Sequence, residues 1–194
     1  MDFGNLDFAV GGINPSGIIP KLFYVAKADI ASWPIIEDDI LAATATPLTI
    51  ANMTGDFVMV SGKKFNRLYS TQGKGKITFE PTGEKDCVMY LNKANLSFPK
   101  LTDEIRAFAK ASANGDYVYI IKHDGKYYVI GNPDYSVTAS FSGDSGDAAG
   151  SAKGVTITLE CPDLTPLPVY TGDLEISDGS IDCSTGVFTA TAGA

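Results

Sequence analysis

The chain contains few of the residues that catalysis and metal binding most often use. Its 194 residues include one histidine, His123, and three cysteines, Cys87, Cys161 and Cys183. The cysteines are widely spaced and form no C-x-x-C pair, so their pattern does not predict a zinc site. An odd number of separated cysteines is typical of reduced, partly buried thiols in a reducing compartment.

Long apolar runs and an excess of basic residues are also missing. No apolar stretch approaches the roughly 18 residues of a membrane span. Residues 1–7 show no basic region followed by an apolar run, so they do not predict a secretory signal. The formal net charge of −8 argues against ordinary nucleic-acid binding, because phosphate contacts require Lys and Arg. It does not exclude a surface that faces nucleic acid without binding it.

Helical patterns are scarce, whereas turn residues are abundant. Twenty Gly and ten Pro accompany many Thr, Ser and Asp residues, which is typical of a chain with many turns. With only one clear helix, the sequence predicts a mainly β fold, a β-sandwich or barrel with one α-helix packed against it. The length fits a single domain, 1–194, which is large enough to bury a core without disulfides.

The one helix is predicted to begin after Thr102. Thr102 is a typical N-cap, and acidic residues follow it at the positive first turn of the helix. Four small or apolar side chains recur at helical spacing and predict a buried face: Ile105, Phe108, Ala109 and Ser112. Asn114-Gly115 is expected to end the helix, because both residue types tolerate the left-handed conformation of a C-terminal cap.

A β-hairpin is predicted directly after this helix. Residues 117–121 and 126–130 are rich in Tyr, Val and Ile, which favours strands. Asp124-Gly125 between them accepts the positive φ angles of a tight turn. A second hairpin is predicted from 65–69 and 74–79. Further strands are expected at 18–26, 87–91, 94–98, 135–141 and 154–160.

Four stretches have weaker patterns. Residues 1–17 are predicted to be a flexible N-terminal arm. Residues 35–56 form a long loop, whose length indicates a function or a partner contact, although 48–51 is also a candidate strand. Residues 142–153 are small and polar and predict a flexible loop. Residues 171–194 predict a C-terminal strand extension made of short alternating pieces.

One motif is similar to a catalytic sequence. Gly143-Asp-Ser145-Gly146 matches the nucleophile motif of chymotrypsin-like serine proteases, which also needs a histidine base and a buried carboxylate. The only histidine, His123, is predicted in a hairpin turn, and Asp147 stands where those proteases carry glycine. A polar loop explains the same residues. We therefore predict no catalytic residue and no enzyme activity.

The sequence evidence for a metal site is equally weak. Asp144 and Asp147 do not match the spacing of a D-x-D-x-D-G calcium loop, and neither do the adjacent Glu37, Asp38 and Asp39. A solvated acidic loop explains them, with a weak surface calcium site as the alternative. We predict no metal-ligating residue.

Two further patterns have more than one interpretation. Gly73–Lys76 lacks the frame of a phosphate-binding loop and predicts a hairpin tip. Five tyrosines between Tyr117 and Tyr135 are compatible with a ligand-binding surface, a half-buried sheet or a subunit contact. Neither pattern predicts a cofactor or a cofactor-binding residue.

Residues from about 95 to 170 have a distinctive order of elements. The helix LTDEIRAFAKAS is followed by the strand DYVYIIK, a D-G turn and the strand KYYVIG. A small-residue loop, SGDSGDAAGSAKG, then leads to the strand VTITLE and the Pro-rich run PDLTPLPVY. This order resembles the tail tube proteins of tailed bacteriophages. The resemblance covers neither the N-terminal third nor residues 171–194.

The resemblance implies a fold, an assembly and a location. Family members are β-sandwich or barrel proteins flanked by one helix, and their hexameric rings join their sheets into an inner β-barrel. The rings stack into a tail tube bridged by long loops and N-terminal arms, with no active site. We accordingly expect a structural virion protein, made in the bacterial host cytoplasm, whose partners are itself and other phage tail proteins. DNA would pass through the lumen without specific binding, and no membrane would be involved.

Two other classes remain open. A capsid decoration or head–tail joining protein shares the β-rich, acidic profile without catalytic residues, and a decoration protein is more often a monomer or trimer. A carbohydrate- or ligand-binding β-sandwich would be a monomer with a tyrosine-lined concave site. A tube protein would form hexamers or filaments.

Overall fold

A computed structural model describes residues 17–19, 21–37, 39–147 and 153–191. The predicted arm 1–17 thus lies outside the described residues except for Gly17, as do residues 148–152 of the predicted loop. The described chain is mainly β with a single α-helix, which confirms the predicted fold class. Its elements are β1 (Leu22–Ala26), a 3-10 helix (Lys27–Asp29), β2 (Ile30–Ser32), β3 (Asn52–Met53), β4 (Val58–Met59), β5 (Asn66–Leu68), β6 (Lys76–Thr82), β7 (Met89–Phe98), α1 (Asp103–Ser112), β8 (Tyr117–His123), β9 (Lys126–Ile130), β10 (Thr138–Asp144), β11 (Gly154–Asp163), β12 (Val169–Tyr170), β13 (Asp173–Ile176), β14 (Gly179–Asp182) and β15 (Phe188–Ala190).

Six strands form a central sheet in the order β3-β12-β9-β8-β1-β5. The predicted hairpin β8–β9 lies in its middle, and Asp124 and Gly125 form the turn with φ angles of 46° and 73°. Ile120 and Ile121 are neighbours on β8 that face opposite sides of the sheet, and both are fully buried. The central sheet is therefore covered on both faces, which explains the continuous apolar run of β8.

A second sheet of four antiparallel strands packs on one face of the central sheet, in the order β10-β11-β7-β6. The core between the two sheets includes Leu22 and Ile121 from the central sheet and Leu96, Ile157 and Leu159 from the second sheet. Alternate residues on β7 and β11 point into this core, as the period of a half-buried strand requires. These two sheets make up the β-sandwich.

The predicted second hairpin is wrong. β5 pairs with β1 in the central sheet, whereas β6 pairs with β7 in the second sheet. The chain passes between the layers at Ser70, whose buried hydroxyl accepts a hydrogen bond from Ser97 N at 3.1 Å. Thr71 N then donates to Ser97 O at 2.7 Å. Alternation shows that a segment is extended, but not which strand becomes its neighbour.

The predicted break between 87–91 and 94–98 is also wrong, because β7 is one strand of ten residues. Asn92, a residue type that favours turns, lies buried inside it. Its Nδ2 donates to Thr165 O at 2.9 Å, and its Oδ1 accepts from Leu167 N at 3.0 Å. The strand continues through this position because both ends of the amide are hydrogen-bonded.

Other predicted boundaries differ from the structure. β10 covers Thr138–Asp144 instead of 135–141, and Ser142 pairs with Thr156, so residues 142–144 belong to a strand and not to a loop. β1 begins at Leu22, four residues after the predicted start. Residues 48–51 form turns, and the short strand of this region is β3.

The helix is confirmed, and it closes one end of the sandwich core. Thr102 Oγ1 accepts a hydrogen bond from Ile105 N at 3.4 Å, as expected of an N-cap. All four residues of the predicted face are buried or half-buried. The expected left-handed cap is wrong, because neither Asn114 nor Gly115 has a positive φ. Gly115 is needed for close approach instead, since a Cβ there would lie 2.7 Å from Ala111 O.

A third layer covers the other face of the central sheet. It is a small sheet with the order β13-β14-β15, formed by the tail segment 171–191. Leu174 and Ile176 pack against Phe23 and Ile120, together with Phe57 from the segment before β4. Trp33 packs on the same cluster, with its ring 5.4 Å from the ring of Phe57. The tail thus completes a second core.

Candidate assembly surface

The residues of the protease-like motif are not assembled into a catalytic site. His123 lies at the end of β8, and its Nδ1 is 2.6 Å from Gly17 O. Ser145 follows β10 in the other sheet, and its hydroxyl donates to Gly146 O at 3.5 Å. Asp144 accepts a hydrogen bond from Gly146 N, so its carboxylate stabilises the local turn. Within the described part of the chain, no hydrogen bond links His123 to Ser145.

The acidic residues also have local partners. Glu37 Oε2 accepts from the Thr44 hydroxyl at 2.7 Å, and Asp39 Oδ1 accepts from Leu41 N at 2.8 Å. Asp38 lies outside the described residues. No three His, Cys, Asp or Glu side chains come together as metal ligands among the residues that the structure describes.

The tyrosines do not share one surface. Tyr119 and Tyr127 are buried in different cores, on opposite faces of the central sheet. Tyr117 and Tyr128 are half-buried, and Tyr135 is exposed at the edge of a separate groove. Burial raises the pKa of Tyr119 to about 12. This distribution matches the half-buried-sheet interpretation better than a ligand surface.

The cysteines are all free. Cys161 and Cys183 are buried, and desolvation raises the pKa of each thiol to about 12. A thiol with such a pKa is protonated at neutral pH and is a poor nucleophile. Cys87 is exposed in the turn between β6 and β7.

A groove of about 340 Å³ lies beside β5. Leu68 and Ile181 form part of its apolar wall, and Tyr69 and Phe188 stand at its sides. Arg67 is held at the rim by Asp178, with Nη2 2.8 Å from Oδ2. The predicted tyrosine cluster between Tyr117 and Tyr135 contributes nothing to this groove.

The second sheet has one face that the rest of the described chain does not cover. Its core-facing residues alternate with outward-facing ones, and the register places the outward residues of adjacent strands side by side. These outward positions are mostly hydroxyl or amide side chains: Thr78, Thr82, Asn95, Ser97, Thr138, Ser140, Ser142, Thr156 and Thr158. We call this surface the polar face.

An ion cluster lies in the middle of the polar face. Lys93 Nζ is 3.0 Å from Glu80 Oε2 on β6 and 3.7 Å from Glu160 Oε1 on β11. The hydrogen bond to Glu80 is the main reason that the pKa of Lys93 is raised. The sequence did not predict this cluster, because Lys93 fell in the predicted break between the strands 87–91 and 94–98. The alternation of Thr and Ser in 135–141 and 154–160 was the available signal.

The second sheet also ends in two open edges. β6 and β10 are its outermost strands, and each is seven residues long. Among the described residues, no further strand pairs with the outer side of either one. Unpaired edges of this length are templates for pairing with another chain.

The stretch 35–56 carries a separate group of exposed aliphatic side chains. Ile40, Leu41 and Leu48 are 59%, 87% and 70% exposed. The C-terminal part of the same stretch is structural, because Met53 is buried and Ile35 N donates to Thr54 O at 2.8 Å.

Comparisons of the chain with protein families, with curated proteins and with solved structures find no match. Among the described residues, no helix has both the length and the apolar composition of a membrane span.

Proposed function

We propose that this protein is a structural subunit of a phage tail tube, whose copies join through the four-stranded sheet into hexameric rings. The observation that carries the proposal is the pair of equally long edge strands, β6 and β10, which no other described strand pairs on the outer side, in a sheet whose polar face no other described element covers. Among the described residues, no three His, Cys, Asp or Glu side chains come together as metal ligands.

Strand direction favours edge-to-edge joining. All neighbours in the order β10-β11-β7-β6 are antiparallel, so β10 and β6 run in opposite directions. When copies repeat around a ring, β6 of one copy meets β10 of the next in antiparallel orientation. The joined sheet is then uniformly antiparallel and has no remaining edge, which is how closed barrels avoid unwanted pairing.

Steric bulk decides which face lines the channel. The central sheet and the third layer both lie on the core side of the four-stranded sheet. A closed ring has more room outside than inside, so this bulk faces outward and the polar face faces the lumen. A hydroxyl-rich wall with few free cations suits DNA that must pass without specific binding.

Stacking of rings would use other surfaces. The exposed Ile40, Leu41 and Leu48 offer apolar area at the loop 35–56, which the resemblance suggests as a bridge between rings. The protein would then be part of the virion tail, made in the bacterial cytoplasm, and contact other tail proteins at the ends of the tube.

Disulfide trapping tests the ring directly. We expect Thr78→Cys with Ser140→Cys, in a Cys87→Ser background, to give a ladder of crosslinked oligomers on mild oxidation. A second pair, Glu80→Cys with Ser142→Cys, samples a shifted register. Thr78→Cys alone is the matched control and can give dimers at most.

Negative-stain electron microscopy of the concentrated wild-type protein provides the second readout, with rings or tubes expected. A protein that stays monomeric at high concentration and gives no ladder with either cysteine pair would refute the tube. Stable trimers would favour a capsid decoration protein instead.

A further inference from the structure

Lys93 occupies an unusual place on the polar face. It lies on β7, an interior strand, so neighbouring strands flank it on both sides. Its side chain is 25% exposed, whereas those of Glu80 and Glu160 are 62% and 41% exposed. The ammonium group is therefore recessed between two carboxylates that reach further into solvent.

We propose that Glu80 and Glu160 mask Lys93 and thereby prevent the polar face from binding the phosphates of passing DNA. This inference rests on the proposed function, because the tube supplies the DNA. Glu80 accepts a hydrogen bond from the ammonium group at 3.0 Å, and Glu160 forms an ion pair with the same group at 3.7 Å, so two carboxylates of the protein flank this one cation. A phosphate approaching Lys93 meets the negative charge of both carboxylates.

The two masking carboxylates determine the sign of the net charge on the polar face. Lys76 and Lys93 are its cations, and Glu80, Glu160 and Asp144 are its anions. Removing the two masking carboxylates leaves the cations in excess. In a ring, every copy places Lys93 at the same height, so unmasking creates a circle of ammonium groups around the channel. Such an array releases counterions from DNA and binds it strongly at low salt.

Stability alone does not explain the cluster. Ion pairs whose carboxylates remain in contact with solvent contribute little to folding, so the sheet does not require these carboxylates. Thr, Ser and Asn occupy most other outward positions, and any of them would fill position 93 without introducing a charge that needs compensation. A lysine with two carboxylate partners keeps the wall hydrated and polar while presenting net negative charge to DNA.

The test compares DNA binding by full-length proteins below the concentration at which they assemble. Fluorescence anisotropy with a labelled 20-base-pair duplex, in 50 mM and 200 mM NaCl, gives the affinity and its salt dependence. We expect the Glu80→Gln/Glu160→Gln variant to bind at least tenfold more tightly than wild type at 50 mM NaCl. Adding Lys93→Gln should return binding to the wild-type level.

A charge-matched control separates the mask from net charge. Glu84→Gln/Glu175→Gln removes two exposed carboxylates from other surfaces and should leave DNA binding near wild type. The inference would be overturned if the control gained as much affinity for DNA as Glu80→Gln/Glu160→Gln, or if Glu80→Gln/Glu160→Gln bound DNA no more tightly than wild type. Glu80→Gln alone, at the most exposed of the three side chains, provides a second variant should the double variant fold poorly.

Microscopy of the same samples keeps the two proposals apart. If Glu80→Gln/Glu160→Gln forms rings or tubes but binds DNA no more tightly than wild type, the mask is refuted and the proposed tube function is not. Tighter DNA binding without rings in any sample would support the mask as a property of the surface and count against the tube.

Discussion

The ring of Phe108 in α1 lies 4.7 Å from the ring of Tyr24 in β1, centroid to centroid. The same Phe108 ring is 5.8 Å from Tyr117 and 5.9 Å from Phe141 in β10. One helical side chain thus contacts both sheets of the sandwich. This contact fixes the helix over the end of the core and holds the two sheets together there.

We expect Phe108→Ala to lower the free energy of unfolding by about 2–3 kcal/mol, because it removes a half-buried ring at the junction of the sheets. Phe108→Asp should unfold the protein, since it adds a charge at the same place. Urea denaturation followed by circular dichroism measures both. Lys110→Ala, on the exposed side of α1, is the control. A Phe108→Asp protein as stable as wild type would show that the helix is not part of the core.

Tyr170 joins the third layer to the body of the protein. Its buried hydroxyl accepts from Phe57 N at 3.3 Å and donates to Asp173 O at 2.8 Å, and burial raises its pKa. Tyr170→Phe leaves a buried N–H and a carbonyl without this partner, so we expect a loss of about 1–3 kcal/mol in stability. Tyr69→Phe changes an exposed tyrosine in the same way and should cost little. Equal losses in the two variants would exclude a special role for the Tyr170 hydroxyl.

Local structure could be predicted where short-range chemistry decides it. Thr102 caps the helix and Asp124-Gly125 forms the hairpin turn, as predicted. Both features could be predicted because each depends only on residues a few positions away in the sequence. Neighbours in the sheets could not be predicted. β5 and β6 have strand patterns but belong to different sheets, and Asn92 stays in a strand only because distant backbone groups from Thr165 and Leu167 bond its amide.

The candidate surface was predictable only in part. The acidic net charge and the scarcity of histidine and cysteine favour a structural role at the level of the sequence, and that role stays a prediction. The polar face required the register of four strands, since Glu80, Lys93 and Glu160 are far apart in the sequence. The two-sided burial of the central sheet depended on the tail segment 171–191, whose packing no local pattern indicated.

The exposed aliphatic residues of the stretch 35–56 should serve association and not folding. We expect Ile40→Ser/Leu41→Ser/Leu48→Ser to keep the wild-type melting temperature, because all three side chains are largely exposed. Association at high protein concentration should fall. Met53→Ser, in the same stretch but buried, is the contrasting variant and should destabilise the fold. Differential scanning calorimetry and sedimentation velocity separate the two effects, and undiminished association in the triple variant would exclude this loop as a contact.

Asp182 should make stability depend on pH in the acidic range. Its carboxylate accepts hydrogen bonds from the backbone N–H and hydroxyl groups of Ser184 and Thr185, which lower its pKa to about 2 from an ordinary value of 3.8. A carboxyl group whose pKa is lower in the folded state than in the unfolded state adds to the free energy of unfolding. This contribution is complete at pH values above the ordinary pKa of 3.8, and it is lost as the pH falls toward 2.

We therefore expect Asp182→Asn to be less stable than wild type at pH 6, with a difference that narrows between pH 4 and pH 2.5. Urea denaturation at pH 6, 4, 3 and 2.5 measures the difference. Asp116→Asn controls for the loss of an exposed carboxylate elsewhere. A difference that stays constant across this range would mean that the hydrogen bonds around position 182 stabilise the fold equally well when the carboxyl group is protonated.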